Sequence, residues 1–176
     1  MILMNDFKAE PPELRKAMLQ AASRVLESGW YVLGNEVKHF EEQWSRVCGV
    51  SHGIGVGNGM DAIEMALLGL SIGAGDEVIT TPMTAFATIL AIIRCGAKPV
   101  LADIDSETAL LSAESAKRCL STKTKAVILV HLYGQVRQMD EWVIFCEENN
   151  IMLIEDCAQA HQATWHGKVA GCFGQA

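Results

Sequence analysis

Two adjacent carboxylates at the end of an apolar run are the first feature of this chain with chemical potential. Ile151-Met152-Leu153-Ile154 leads into Glu155-Asp156-Cys157-Ala158-Gln159-Ala160-His161. An apolar run of this kind reads as a strand buried on both faces of a parallel sheet. Open α/β sheets bind ligands in the crevice beyond the carboxyl ends of their strands. An acid placed there can meet a cofactor, and Gln159 can add a second polar contact. The same residues fit a plainer role, in which Asp156 caps a turn and Glu155 is its solvated neighbour. Cys157 is either a reactive thiol or a small packing residue.

A second stretch, Gly55-Val56-Gly57-Asn58-Gly59-Met60-Asp61-Ala62, precedes the apolar helix pattern Ile63-Glu64-Met65-Ala66-Leu67-Leu68. Glycines let a backbone approach a ligand, and a helix start offers free amides at a positive dipole end. Together they suit an anion, most often phosphate. A P-loop needs Gly-Lys followed by Ser or Thr, and this loop has no lysine. The dinucleotide fingerprint is met loosely by Gly57, Gly59 and Ala62. It also needs an acid at the end of the second strand, where Thr80-Thr81-Pro82 stands instead. A purely structural turn is the remaining alternative. Phe86, just past that strand end, can stack on a flat ring or belong to the core of the next helix. His131 follows Val127-Ile128-Leu129-Val130 and is a general base, a neighbour of the ring, or a hydrogen-bonded structural group.

A phosphate cradle, a flat aromatic and an Asp with a Gln suit pyridoxal phosphate. The cradle takes the phosphate and the aromatic covers one ring face. The carboxylate keeps the pyridine nitrogen protonated, so that the ring acts as an electron sink. The Gln159 amide is placed to bond the ring hydroxyl.

These residues need a frame that sets strand ends side by side. From residue 52 the pattern alternates strand, turn and helix. Strands are expected near 52–56, 77–81, 98–102, 125–130 and 151–155, and helices near 60–70, 85–95, 112–120 and 139–149. Such alternation predicts an α/β fold, a mostly parallel sheet flanked by helices. Residues 1–50 form a helical arm and residues 51–176 the α/β part. In the arm, Pro11-Pro12-Glu13 opens a helix that Gly29 stops. Asn35 caps a second helix, with Val37, Phe40, Trp44 and Val47 on one face. Trp30-Tyr31-Val32-Leu33 lies between them as a ligand-facing loop or a satellite packing cluster.

The 176 residues suit a single domain, and half of them are hydrophobic, enough for a sizeable core. A net charge of -7 argues against nucleic acid as partner. No apolar run is long enough to span a membrane, and Met1-Ile2-Leu3-Met4-Asn5-Asp6 lacks the pattern of a signal peptide. Six scattered cysteines without a Cys-x-x-Cys pair suit reduced thiols in a cytoplasmic protein.

Several ordered segments resemble the amino-terminal part of the DegT/DnrJ/StrS family of nucleotide-sugar aminotransferases. They are Gly34-Asn35-Glu36-Val37-Lys38-His39-Phe40-Glu41, Gly57-Asn58-Gly59-Met60-Asp61-Ala62, Gly75-Asp76-Glu77-Val78-Ile79, Gly96-Ala97-Lys98-Pro99-Val100 and Val130-His131-Leu132-Tyr133-Gly134. Ile154-Glu155-Asp156-Cys157-Ala158-Gln159-Ala160-His161 and Gly171-Cys172-Phe173-Gly174 are the most telling. The resemblance implies part of the large domain of a fold-type I pyridoxal-phosphate-dependent transferase. It implies a nucleotide-linked keto sugar as substrate, an amino acid as amino donor, and a homodimer with active sites at the subunit interface. The positions of Gly59, Met60 and Asp61 correspond to the phosphate cradle. Phe86 corresponds to the stacking residue, Asp156 to the partner of the pyridine nitrogen, and Gln159 to the partner of the ring hydroxyl. Met60 departs from the Thr common in the family, and Gln175 from the Asp. The family's Schiff-base lysine follows a Ser-Phe segment expected beyond Ala176, so no lysine of this chain is expected to be catalytic. Such a chain is expected to be inactive alone; a non-catalytic relative that only binds a ligand or a partner subunit is the alternative.

Overall fold

Four short segments, each with an apolar centre, build the frame. In this computed structural model, which describes residues 6–176, they are β1 (Glu77–Thr80), β2 (Lys98–Leu101), β3 (Thr124–Val130) and β4 (Met152–Asp156). All pair in parallel, in the order β2-β1-β3-β4. Residues 1–5, which were read for a leader, lie outside the described residues.

The period of two along each strand divides the core. Ala126, Ile128 and Val130 of β3 and Ile154 of β4 face α3 (Gly59–Gly69) and α4 (Phe86–Arg94). Val127 and Leu129 of β3 and Leu153 of β4 face α5 (Ala113–Arg118) and α6 (Met139–Asn149). The sheet is thus covered on both faces, as a parallel sheet requires. The parallel pairing of β3 with β4, Val130 opposite Asp156, sets their carboxyl ends side by side, with His131 just after one and Asp156 closing the other.

The expected strand at 52–56 does not form. His52-Gly53-Ile54-Gly55-Val56 is irregular. Ile54 is largely exposed, and the Gly55 amide donates to Glu41 Oε1 at 2.6 Å rather than to a neighbouring strand. Two glycines in five residues give little side-chain packing to repay ordering. The other four expected strands and all four expected helices form, with ends shifted by one or two residues.

In the arm, α1 (Pro12–Ser28) ends at Gly29 in the left-handed conformation, φ 65°. No residue of α1 is buried. The second helix, α2 (Asn35–Cys48), starts one residue earlier than expected: Gly34 holds the cap position and no side chain caps it. Trp44 stacks on Phe40 and meets His161 edge-on, at 6.0 and 5.5 Å between ring centres. Trp30, Tyr31, Val32 and Leu33 are exposed, so they form no buried packing cluster among the described residues.

After β4 the chain makes a short antiparallel hairpin, β5 (Thr164–Trp165) and β6 (Lys168–Val169). The last residues return to β4. Gln175 N–H donates to the Leu153 carbonyl (2.9 Å), Gln175 Oε1 accepts from Leu153 N–H (2.7 Å), and Glu155 N–H donates to the Ala176 carbonyl (2.9 Å). No helix among the described residues is long and apolar enough to cross a membrane.

Candidate functional site

Glu155 and Asp156 are neighbours in sequence and face opposite layers of the fold. Glu155 turns toward the α5/α6 side and is buried, and its carboxylate is saturated. Oε2 accepts from Gly171 N–H (2.9 Å), and Oε1 accepts from Phe173 N–H (2.7 Å) and Gly174 N–H (2.9 Å). His131 Nε2 lies 2.9 Å from Oε2. An ionised carboxylate only accepts, so His131 carries its proton on Nε2 and donates. Burial drives the Glu155 carboxyl upward. The bond from His131 and the three amide bonds outweigh it and hold the group below the usual glutamate range. Glu155 is therefore no solvated neighbour; it ties the ends of β3 and β4 to the 171–174 turn. Gly174 has no alternative in that turn, because a Cβ there would overlap the Leu153 carbonyl.

Asp156 turns toward α4 and stays half-buried. Oδ2 accepts from Thr88 Oγ1 at 2.9 Å and Oδ1 from Ala158 N–H at 3.2 Å. Gln159 lies just beyond, its Oε1 accepting from Tyr133 N–H at 2.8 Å. That bond leaves the Gln159 NH2 as the donating end of the amide, with no acceptor among the described residues. Tyr133 has a left-handed backbone, φ 57°, the position from which its N–H reaches Gln159.

The glycine loop enters α3 through an Asn58 cap. Asn58 Oδ1 accepts from Asp61 N–H (3.0 Å) and its Nδ2 donates to Asp61 Oδ2 (2.8 Å). Arg94 meets Asp61 at 3.5 Å and Glu64 at 2.8 Å. Asp61 thus holds the loop together with both its amide and its carboxylate. The amides of Gly59 and Met60 have no acceptor among the described residues, and Gly59 has open space where a Cβ would stand. These two N–H groups, at a helix start, are the free donors an anion needs. Gly59, Glu155 and Asp156 line one cavity of about 380 Å³, together with Trp44, His52 and Ala158. Met60, Asp61, Phe86 and Gln159 do not line it.

Phe86 is the first residue of α4 and 65 % exposed, so it is no core residue. His131 is the hydrogen-bonded structural group among its three readings. Cys157 is held inert: burial and the adjoining Glu155 and Asp156 charges push its thiol up to about 12. His131, Glu155 and Cys157 set their donor atoms within 4.8 Å of one another, but the Glu155 oxygens are already bonded to backbone amides. Thr88 is the contact residue that sequence reasoning missed. Nothing local marks it, because its partner lies 68 residues away.

The sequence profile of the DegT/DnrJ/EryC1/StrS aminotransferase family matches residues 12–176. The chain belongs to this family. It is 42% identical over 176 residues to a dTDP-3-amino-3,6-dideoxy-alpha-D-galactopyranose transaminase of Aneurinibacillus thermoaerophilus. That match covers 100% of this chain and 48% of the relative. Among solved structures, S. venezuelae DesV in complex with a ketimine intermediate superposes with a TM-score of 0.91 at 38% identity. The match covers 94% of this chain and 45% of that one. Bacillus subtilis NtdA, solved with its bound cofactor PMP, gives a TM-score of 0.85 at 28% identity, covering 91% of this chain and 37% of that one. This family member spans about half the length of the curated relatives it matches.

Proposed function

We propose that this chain is the cofactor-holding part of a pyridoxal-phosphate-dependent aminotransferase. In this reading the substrate is a nucleotide-linked keto sugar and the amino donor an amino acid. The observation that carries the reading is that the free amide end at Gly59 and the Asp156 carboxylate share one cavity. An anion donor set and a carboxylate with lone pairs to spare suit a phosphorylated pyridine, and the second carboxylate of the cavity, Glu155, is fully bonded within the chain. The names of the relatives support the sugar substrate. The family resemblance supports a homodimer, and the six free cysteines support a cytoplasmic setting.

When bound, the cofactor supplies an electron sink for bond breaking at the amino-bearing carbon. The chain's own residues do the holding. The Gly59 and Met60 amides receive the phosphate, with Asp61 fixing their loop through Asn58. Phe86 covers a ring face. Asp156, held by Thr88 and Ala158, keeps the proton on the pyridine nitrogen. The Gln159 NH2 donates to the ring hydroxyl, its other end fixed by Tyr133.

The eight lysines favour binding without covalent attachment in this chain. Lys98, Lys123 and Lys125 stand at the amino ends of strands, where Lys98 pairs with Glu77 at 2.9 Å. Lys16, Lys38 and Lys117 belong to α1, α2 and α5, and Lys8 precedes α1. Lys168 sits over the Phe173 ring. None follows the carboxyl end of a strand of the parallel sheet. Pyridoxal phosphate and pyridoxamine phosphate are expected to raise the melting temperature, whereas NAD is not. Borohydride reduction with pyridoxal phosphate is expected to label no lysine stoichiometrically in mass spectra. Stabilisation by NAD alone would overturn the cofactor reading. Stoichiometric labelling of one lysine, with amino transfer, would overturn the non-covalent part.

A further inference from the structure

The reach of Asp156 toward any ring nitrogen depends on what holds its carboxylate, and the holder comes from a different element. Thr88 of α4 is 1 % exposed, and its hydroxyl donates to Asp156 Oδ2 at 2.9 Å. The Thr88 oxygen also lies 2.9 Å from Thr84 Oγ1. A hydroxyl has one proton, and that of Thr88 goes to the carboxylate. Thr84 must then donate to Thr88. The result is a one-way chain, Thr84 to Thr88 to Asp156, running from the β1–α4 turn across to the end of β4. Ala158 N–H takes the other carboxylate oxygen from the opposite side. With one donor on each oxygen, the carboxylate plane is fixed and its remaining lone pairs are left for a further donor. The same helix begins with Phe86, so α4 sets the ring-covering aromatic and the Asp156 anchor as one rigid unit.

We propose that Thr88 is a positioning residue for cofactor recognition, acting through Asp156 to keep the pyridine nitrogen protonated. The proposal rests on the cofactor reading above. A hydroxyl that only filled space would be replaceable by the isosteric valine without effect on the ring. A hydroxyl that aims the carboxylate would not. Thr88 touches no cofactor atom in this account; it orients the residue that does.

The test uses the chain as it is, with pyridoxamine 5′-phosphate carrying a ring 15N label, a probe that needs no lysine. Affinity is read by tryptophan fluorescence, and ring protonation by the 15N shift of the bound probe against pH. Thr88→Val is expected to weaken binding by about tenfold, the loss of one charge-assisted hydrogen bond, and to move the ring titration to lower pH. Thr88→Ser is expected to restore both. A change in folding stability alone would leave the bound probe's titration where it was. Unchanged affinity and titration in Thr88→Val, with the parent chain binding normally, would overturn the positioning role and leave the cofactor reading standing. No binding by the parent chain would overturn both.

Discussion

The two sides of the end of β4 carry the same functional group and use it in opposite ways. On the α5/α6 side, Glu155 is buried and spends its carboxylate on His131 and three backbone amides. On the α3/α4 side, Asp156 is half-buried and, among the described residues, accepts only from Thr88 and Ala158. The alternation of a strand sends adjacent residues to opposite faces, so one peptide step separates a structural carboxylate from an available one. In the proposed site, the acid that meets the ligand is the one the fold has left partly uncommitted. Burial alone does not identify it.

The largest effect is expected where the commitment is complete. Glu155→Gln keeps one acceptor oxygen and turns the other into an NH2 facing two donors. Leaving buried donors unpaired should lower unfolding free energy by about 3–5 kcal/mol, read from urea unfolding curves. A loss below about 1 kcal/mol would mean that the four bonds contribute little and that the comparison fails on its structural side.

Acid gives a second, graded way to break it. The folded-state Glu155 carboxyl lies below its ordinary value of 4.5. Its contribution is therefore fully present above that value and is lost as pH falls through the depressed one. Melting temperatures of the parent chain are expected to fall more steeply below pH 4.5 than those of Glu155→Gln. Parallel slopes would show that Glu155 binds no more protons on unfolding.

Much of this frame is legible in the amino-acid sequence, because apolar runs and turn residues act locally. Val127-Ile128-Leu129-Val130, β-branched at three of four positions and bounded by turn residues, reads as a buried strand, and the Met139–Asn149 helix sits where the pattern puts it. The segment 52–56 misleads because Ile54 and Val56 alternate as a strand would, while the glycines between them favour an irregular path. Glu155 looks like a solvated neighbour because its donors come from Gly171, Phe173 and Gly174, beyond the reach of any local pattern. Thr88 is hidden for the same reason. Gly59 and Asp156 were readable as separate motifs, whereas their meeting in one cavity is a property of the fold.

The most direct test of the central claim sets Asp156→Asn against Glu155→Gln in one experiment, measuring melting temperature and pyridoxamine 5′-phosphate affinity for each. Asparagine can keep one oxygen for Ala158, and the Thr88 hydroxyl can turn to accept from its NH2. The account predicts that Asp156→Asn changes stability by less than about 1 kcal/mol. It predicts an affinity loss of about 10- to 100-fold, since a charge-assisted bond to the ring nitrogen is removed. A parent chain and an Asp156→Asn variant that bind the probe equally well would contradict it.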